Sequence, residues 1–155
     1  MMETREGGCH CGQVRFRAKV DLATLSECNC SICTKKGILH LSVAPADFEL
    51  LSGGAALTNY TFGTGVAQHT FCSHCGMHAF YIPRSRPDHL SVNARCLDDI
   101  DQTTLKPERF FGGANWEKAQ AERLAEQGRQ MPKTVDLAAG ARTLQGVLDK
   151  AANPS

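Results

Sequence analysis

Residues 7–20 read Gly-Gly-Cys-His-Cys-Gly-Gln-Val-Arg-Phe-Arg-Ala-Lys-Val. From Gln13 to Val20, the apolar Val14, Phe16, Ala18 and Val20 alternate with Arg15, Arg17 and Lys19. Period two with one apolar face is the pattern of a half-buried strand, because successive side chains point to opposite faces. Just before it stand two cysteines one residue apart, Cys9 and Cys11. On a strand that spacing puts both thiols on one face, where they can share a partner.

Both features recur outward from this stretch. Short strand candidates follow at Ile38–Val43, Phe48–Leu51, Leu57–Phe62, Val66–Phe71, His78–Ile82 and His89–Asn93. Pro45, Gly53-Gly54, Gly63, Gly65, Pro83 and Pro87 punctuate them. Many short strands at this spacing predict a mainly β, small antiparallel unit. After Pro107 the character changes. Asn115 is placed to cap a helix from Trp116 to about Gln130, ended by Pro132. Thr134 or Asp136 is placed to cap a second helix, with Leu137, Ala141, Leu144, Leu148 and Ala151 on one stripe and Gly140 and Gly146 weakening it. The division expected is a β domain over 1–116 and a helical C-terminal extension over 117–155. The helices would dock on the β unit or join two copies as a homodimer.

The 155 residues carry 17 Lys and Arg against 16 Asp and Glu. That balance argues against a protein built to neutralise nucleic acid or an anionic membrane. No apolar stretch approaches the ~20 residues that span a bilayer. Met1–Gly8 has no apolar core of the secretory kind, so a cytoplasmic location is expected.

Eight cysteines, all between Cys9 and Cys96, are the anomaly. In a reducing compartment they point to metal or redox chemistry rather than a disulfide framework. Three clusters hold seven of them: Cys9-His10-Cys11, Cys28-Asn29-Cys30-Ser31-Ile32-Cys33 and Cys72-Ser73-His74-Cys75. The first and third together supply four sulfurs, enough for a closed, structural zinc site. The second supplies three, which leaves zinc an open, reactive position suited to a soft ligand such as a thiolate. A fourth protein ligand from His10, His40, His69, His74, His78 or Cys96 would close it instead. Spacing leaves another partition open, with Cys28–Cys33 joined to Cys72 and Cys75. A redox Cys-x-x-Cys would need a strand-to-helix turn, and the sequence gives no sign of one around Cys30 and Cys33.

GGCHCGxVRF, CNCSICTKKG, VAPADFELLSG, YTFGTGVAQHTFCSHCG, FYIPRSRPD, CLDD and the NWEKA after Gly112-Gly113 resemble the glutathione-dependent formaldehyde-activating enzyme family, in particular its centromere protein V branch. The resemblance runs from residue 7 to about 119. It implies a β "tent" of antiparallel sheets pinned by two zinc ions. Cys9, Cys11, Cys72 and Cys75 match the family's structural zinc ligands, and Cys28, Cys30 and Cys33 match those of its catalytic zinc. The implied activity is of the carbon–sulfur lyase type, adding glutathione to formaldehyde.

Lys35 and Lys36, directly after the catalytic cluster, are candidates for holding the glutathione carboxylates, with Arg84, Arg86 and Arg95 in reserve. His40 is a candidate proton donor, or a satisfied half-buried histidine. Cys96 reads as a packed thiol. The rival reading is a non-catalytic module that holds a thiol or a protein through the second zinc.

Overall fold

The computed structural model describes residues 1–153, so the last two positions of the 117–155 extension lie outside the described residues. The strands are β1 (Glu3–Gly8), β2 (Arg15–Val20), β3 (Ser26–Cys28), β4 (His40–Val43), β5 (Phe48–Ser52), β6 (Leu57–Tyr60), β7 (His69–Cys72), β8 (Phe80–Tyr81), β9 (Leu90–Asn93) and β10 (Arg109–Phe111). The helices are α1 (Ser31–Lys36), α2 (Trp116–Glu126) and α3 (Ala139–Ala152).

The strands form a three-stranded sheet in the order β1-β2-β5, a five-stranded sheet in the order β10-β3-β4-β9-β8, and the hairpin β6-β7. The expected mainly antiparallel architecture is what the chain adopts, with one exception. β10 pairs with β3 in parallel. A parallel partner must arrive by a long crossover, and β10 returns some 80 residues after β3.

The alternation in β2 is realised. Phe16, Ala18 and Val20 are buried while Arg17 and Lys19 are exposed. Phe16 stacks on Phe48 of β5 at 5.6 Å, and Phe48 meets Phe80 of β8 at 4.8 Å. This aromatic cluster ties the two larger sheets into one core.

Three strands escaped the sequence reading for the same reason. β1, β3 and β10 lack an alternating apolar face, being short or charged, and are set by their partners rather than by propensity. β1 is an edge strand whose charges pair across the sheet, as in the 3.2 Å contact of Arg17 with Glu6. Neither Cys9-x-Cys11 nor Cys28-x-Cys30 lies within a strand. The chain turns at both places: Cys9 and Cys11 follow the end of β1, and Cys28 is the last residue of β3.

α2 starts at Trp116 as expected, but its end and the start of α3 fall elsewhere. α2 ends at Glu126, not Gln130, because Gly128 adopts φ 69°. The N–H groups of Gly128 and Arg129 turn back to the carbonyls of Ala125 and Leu124, closing the end before Pro132 is reached. Asn115 stands at the N-terminal cap of α2 without a side-chain cap bond. α3 begins at Ala139; Asp136 instead accepts the Ala138 N–H at 3.2 Å and pairs with Arg142. Gly140, a helix breaker by propensity, is there for space, since a Cβ would come within 1.9 Å of the Val66 carbonyl oxygen. α3 packs on β5, with Val147 buried in the core and Leu144, Leu148 and Ala151 beside it. Among the described residues, no helix is long and apolar enough to cross a membrane.

Candidate active site

Two groups of cysteine sulfurs converge, and they are the groups the resemblance implies. Cys9, Cys11, Cys72 and Cys75 form one and Cys28, Cys30 and Cys33 the other, the sulfurs of each within 4.8 Å of one another. The alternative pairing of Cys28–Cys33 with Cys72 and Cys75 does not occur.

In the first group, Cys9 and Cys11 sulfurs stand 3.6 Å apart, and those of Cys11 and Cys72 3.7 Å. Four sulfurs at ~2.3 Å from one ion stand roughly 3.8 Å apart, so the set fits a tetrahedral metal. The turn that makes this possible is closed by the Cys9 N–H on the Val14 carbonyl at 3.0 Å, while the Val14 N–H donates to the Cys9 sulfur at 3.3 Å. On the other side, Cys72 ends β7 and Gly76, at φ 75°, bends the chain back so that Cys75 joins it. Cys72 is fully buried and Cys11 exposed, so the group lies at the edge of the core.

The second group is a strand-to-helix turn, contrary to the sequence reading. Cys28 ends β3, Cys30 caps α1, and Cys33 is in its first turn. The Cys30 N–H donates to the Cys28 sulfur and the Cys33 N–H to the Cys30 sulfur, both at 3.4 Å. Bonds from the Cys28 and Cys33 thiols, then from backbone N–H groups, pull the Cys30 thiol down to about 2, while its neighbours push the Cys33 thiol up. Thiolate is the form of these sulfurs that binds metal. Both groups could hold a metal ion. None of the six candidate fourth ligands belongs to the three-sulfur set.

That trio lies in the wall of a cavity of about 650 Å³. β10 and the turn leading into α2 close over it. The Asn29 N–H donates to the Phe111 carbonyl at 3.3 Å, and the Ala114 N–H donates to the Asn29 side-chain oxygen at 2.9 Å. Gly113 lies against the sulfurs: a Cβ there would stand 2.6 Å from the Cys28 sulfur.

His40 is also in the wall and is buried. Its Nδ1 lies 3.1 Å from the Ser91 hydroxyl and 3.0 Å from the Tyr81 hydroxyl. Its Nε2 is buried with no hydrogen-bond partner among the described residues. Burial, then the charge of Lys36, pushes the imidazole down to about 4. It is therefore neutral at pH 7, as a histidine satisfied on one nitrogen only.

The cationic candidates divide. Arg84 and Arg86 line the cavity, together with Arg109, Arg123 and Arg129. Lys35 and Lys36 line a separate cleft with Tyr60, Phe71 and His78. Lys36 Nζ lies 3.0 Å from His69 Nδ1 and 4.7 Å over the Tyr81 ring, and burial pushes its pKa down to about 8. Arg95 lines neither space. Cys96 stands apart from both sulfur groups, its thiol 3.8 Å from the His78 carbonyl and pushed by burial up to about 11.

Sequence reasoning missed Gly113, Asn29, Tyr81 and Ser91 as parts of this site, and the arginines Arg109, Arg123 and Arg129. A Gly-Gly pair at 112–113 is a signal for close approach. The others depend on long-range packing and leave no local trace.

The glutathione-dependent formaldehyde-activating enzyme family matches residues 4–116. A crystal structure of a Rhodobacter sphaeroides protein is similar at a TM-score of 0.64 and 31% identity, over 68% of this chain and 98% of that one. The match takes in both sulfur groups, β1–β10 and the turn that closes over the cavity. With the two sulfur groups in the expected partition, it follows that the chain belongs to the glutathione-dependent formaldehyde-activating enzyme family.

Proposed function

We propose that the protein is a zinc enzyme that joins a thiol, glutathione or one of similar charge, to a small aldehyde such as formaldehyde. One observation carries this reading: three sulfurs, with no fourth protein ligand in the set, face a cavity large enough for a tripeptide-sized molecule. Cys9, Cys11, Cys72 and Cys75 would hold a structural ion, and Cys28, Cys30 and Cys33 a second one. When bound there, zinc supplies a soft site that anchors a thiol's sulfur and lowers its pKa.

The chain's own groups do the rest. The cavity carries five arginines and, among the described lining residues, no Asp or Glu. Such a wall favours an anionic thiol. These arginines, not Lys35 and Lys36 in the separate cleft, are the groups placed for its carboxylates. Burial raises the Tyr81 phenol pKa, so this hydroxyl keeps its proton and can donate it to His40 Nδ1. The ring hydrogen then sits on Nε2, which is buried without a partner among the described residues, so His40 holds the cavity wall in a neutral form. Thiol and aldehyde sum to the product without another reactant. Holding the two side by side supplies most of the rate gain.

Calorimetry on zinc-loaded protein tests this. Sulfur capture releases the thiol proton, and free thiols have a pKa of about 8.5, so glutathione should bind more tightly at pH 8 than at pH 6. S-methylglutathione should bind at least about tenfold more weakly than glutathione. Equal binding of the two would show that sulfur is not the anchor, and the reading would fail.

A further inference from the structure

The five arginines of the cavity are not equivalent. Arg84 is matched by Glu117 at 2.8 Å and lies 3.6 Å over the Trp116 ring. Arg86 is exposed and donates to the Ser42 hydroxyl at 3.3 Å. Arg109 and Arg129 are exposed at the rim. Arg123, on α2, is half-buried and has no carboxylate partner among the described residues.

Arg123 is nonetheless held in place. Its Nη1 donates to the Ser85 hydroxyl at 3.2 Å, and its guanidinium lies 4.5 Å from the Phe111 ring centre. A guanidinium has five N–H donors in a rigid fork, and one is engaged by a protein side chain here. Desolvating a cation without a counter-charge is costly, and burial does push this guanidinium's pKa down. The Phe111 carbonyl accepts from the N–H of Asn29, which stands between Cys28 and Cys30, so the Phe111 ring sets Arg123 on the three-sulfur side of the cavity. Residues 117 onward lie outside the family match, so this cation is contributed by an element beyond the shared domain.

We propose that α2 is a specificity element, in which Arg123, with Arg129 at the rim, binds a carboxylate of the captured thiol and selects acidic thiols over uncharged ones. The inference rests on the reading of the cavity as a thiol site. It adds which group of the thiol is recognised and by which segment. A planar fork matches a carboxylate through two parallel hydrogen bonds, and the ring beneath it keeps the fork oriented.

The test uses full-length, zinc-loaded protein and two probes with the same sulfur: glutathione and its diethyl ester, in which both carboxylates are masked. Wild type should bind glutathione about tenfold or more tightly than the ester. Arg123→Gln should narrow that gap to about threefold or less while leaving ester binding and zinc content unchanged, and Arg123→Lys should recover part of it. Equal binding of the two probes by wild type, or an undiminished gap in Arg123→Gln, would overturn the proposal. So would an equal loss for both probes, since Arg123 would then be serving the metal centre or the fold. Should Arg123→Gln not fold, the exposed Arg129→Gln reads the same gap, and no narrowing there would overturn the proposal. Failure of wild type to bind either probe would overturn the thiol reading itself, and this inference with it.

Discussion

Replacing Cys72 with alanine should abolish the cooperative folded state. Cys72 is fully exposed to the core and not to solvent, at the end of β7, where its partner across the hairpin is Leu57. With Cys75 it joins the hairpin to Cys9 and Cys11, some 60 residues earlier in the chain. A structural zinc contributes about 10–16 kcal/mol in small domains. Whole domains are stable by only about 5–15 kcal/mol. Removing one of four ligands from such a site therefore threatens the entire margin. Cys30→Ala is the contrasting case. Its sulfur is half-buried at the cap of the six-residue α1, away from the Phe16, Phe48 and Phe80 cluster. That variant should keep a cooperative thermal transition and lose about one metal ion per chain and all thiol capture. Circular dichroism melts and elemental analysis of both variants check this; equal unfolding by both would remove the division into structural and reactive centres.

Gly113→Ala should empty the second centre while the β sheets survive. The added methyl carbon would lie 2.6 Å from the Cys28 sulfur, 2.8 Å from Cys30 Cβ and 3.3 Å from the Cys30 nitrogen. The turn cannot retreat, because Asn29 grips Ala114 and Phe111, and β10 is paired to β3 through Phe111 and Cys28. The sulfurs must therefore move, and the spacing that suits one ion is lost. Overpacking of this kind costs about 1–3 kcal/mol, below the margin of a whole domain. Metal content should fall from about two ions to about one, with a lowered but still cooperative melting transition and no glutathione binding. Unchanged metal content would mean that the turn does not constrain the trio.

The parts of this account that sequence could supply are those written in local pattern. The alternation of Val14, Phe16, Ala18 and Val20 fixes the face of β2 without reference to anything else. The seven clustered cysteines announce metal chemistry, and the resemblance resolves which four belong together. β1, β3 and β10 are legible only through their neighbours, since their own residues are charged or few. The short α1 hides inside the cysteine motif, because its cap is itself a metal-ligand candidate. Sequence points to Lys35 and Lys36 beside the cysteines and to Arg84, Arg86 and Arg95 as the cations, of which Arg84 and Arg86 line the cavity. The structure brings Arg109, Arg123 and Arg129 there from 80 to 100 residues away. Gly140 shows the same override, since its lack of a side chain answers to the Val66 carbonyl and not to helix propensity.

Zinc K-edge X-ray absorption, recorded with and without glutathione, addresses the three-sulfur centre directly. One four-sulfur and one three-sulfur site give an average of about 3.5 sulfurs per zinc, and capture of a thiol raises it to about 4. The account predicts that rise with glutathione and none with S-methylglutathione. An average that stays unchanged at a glutathione concentration where calorimetry records binding would contradict it, because the thiol would then be held by something other than its sulfur.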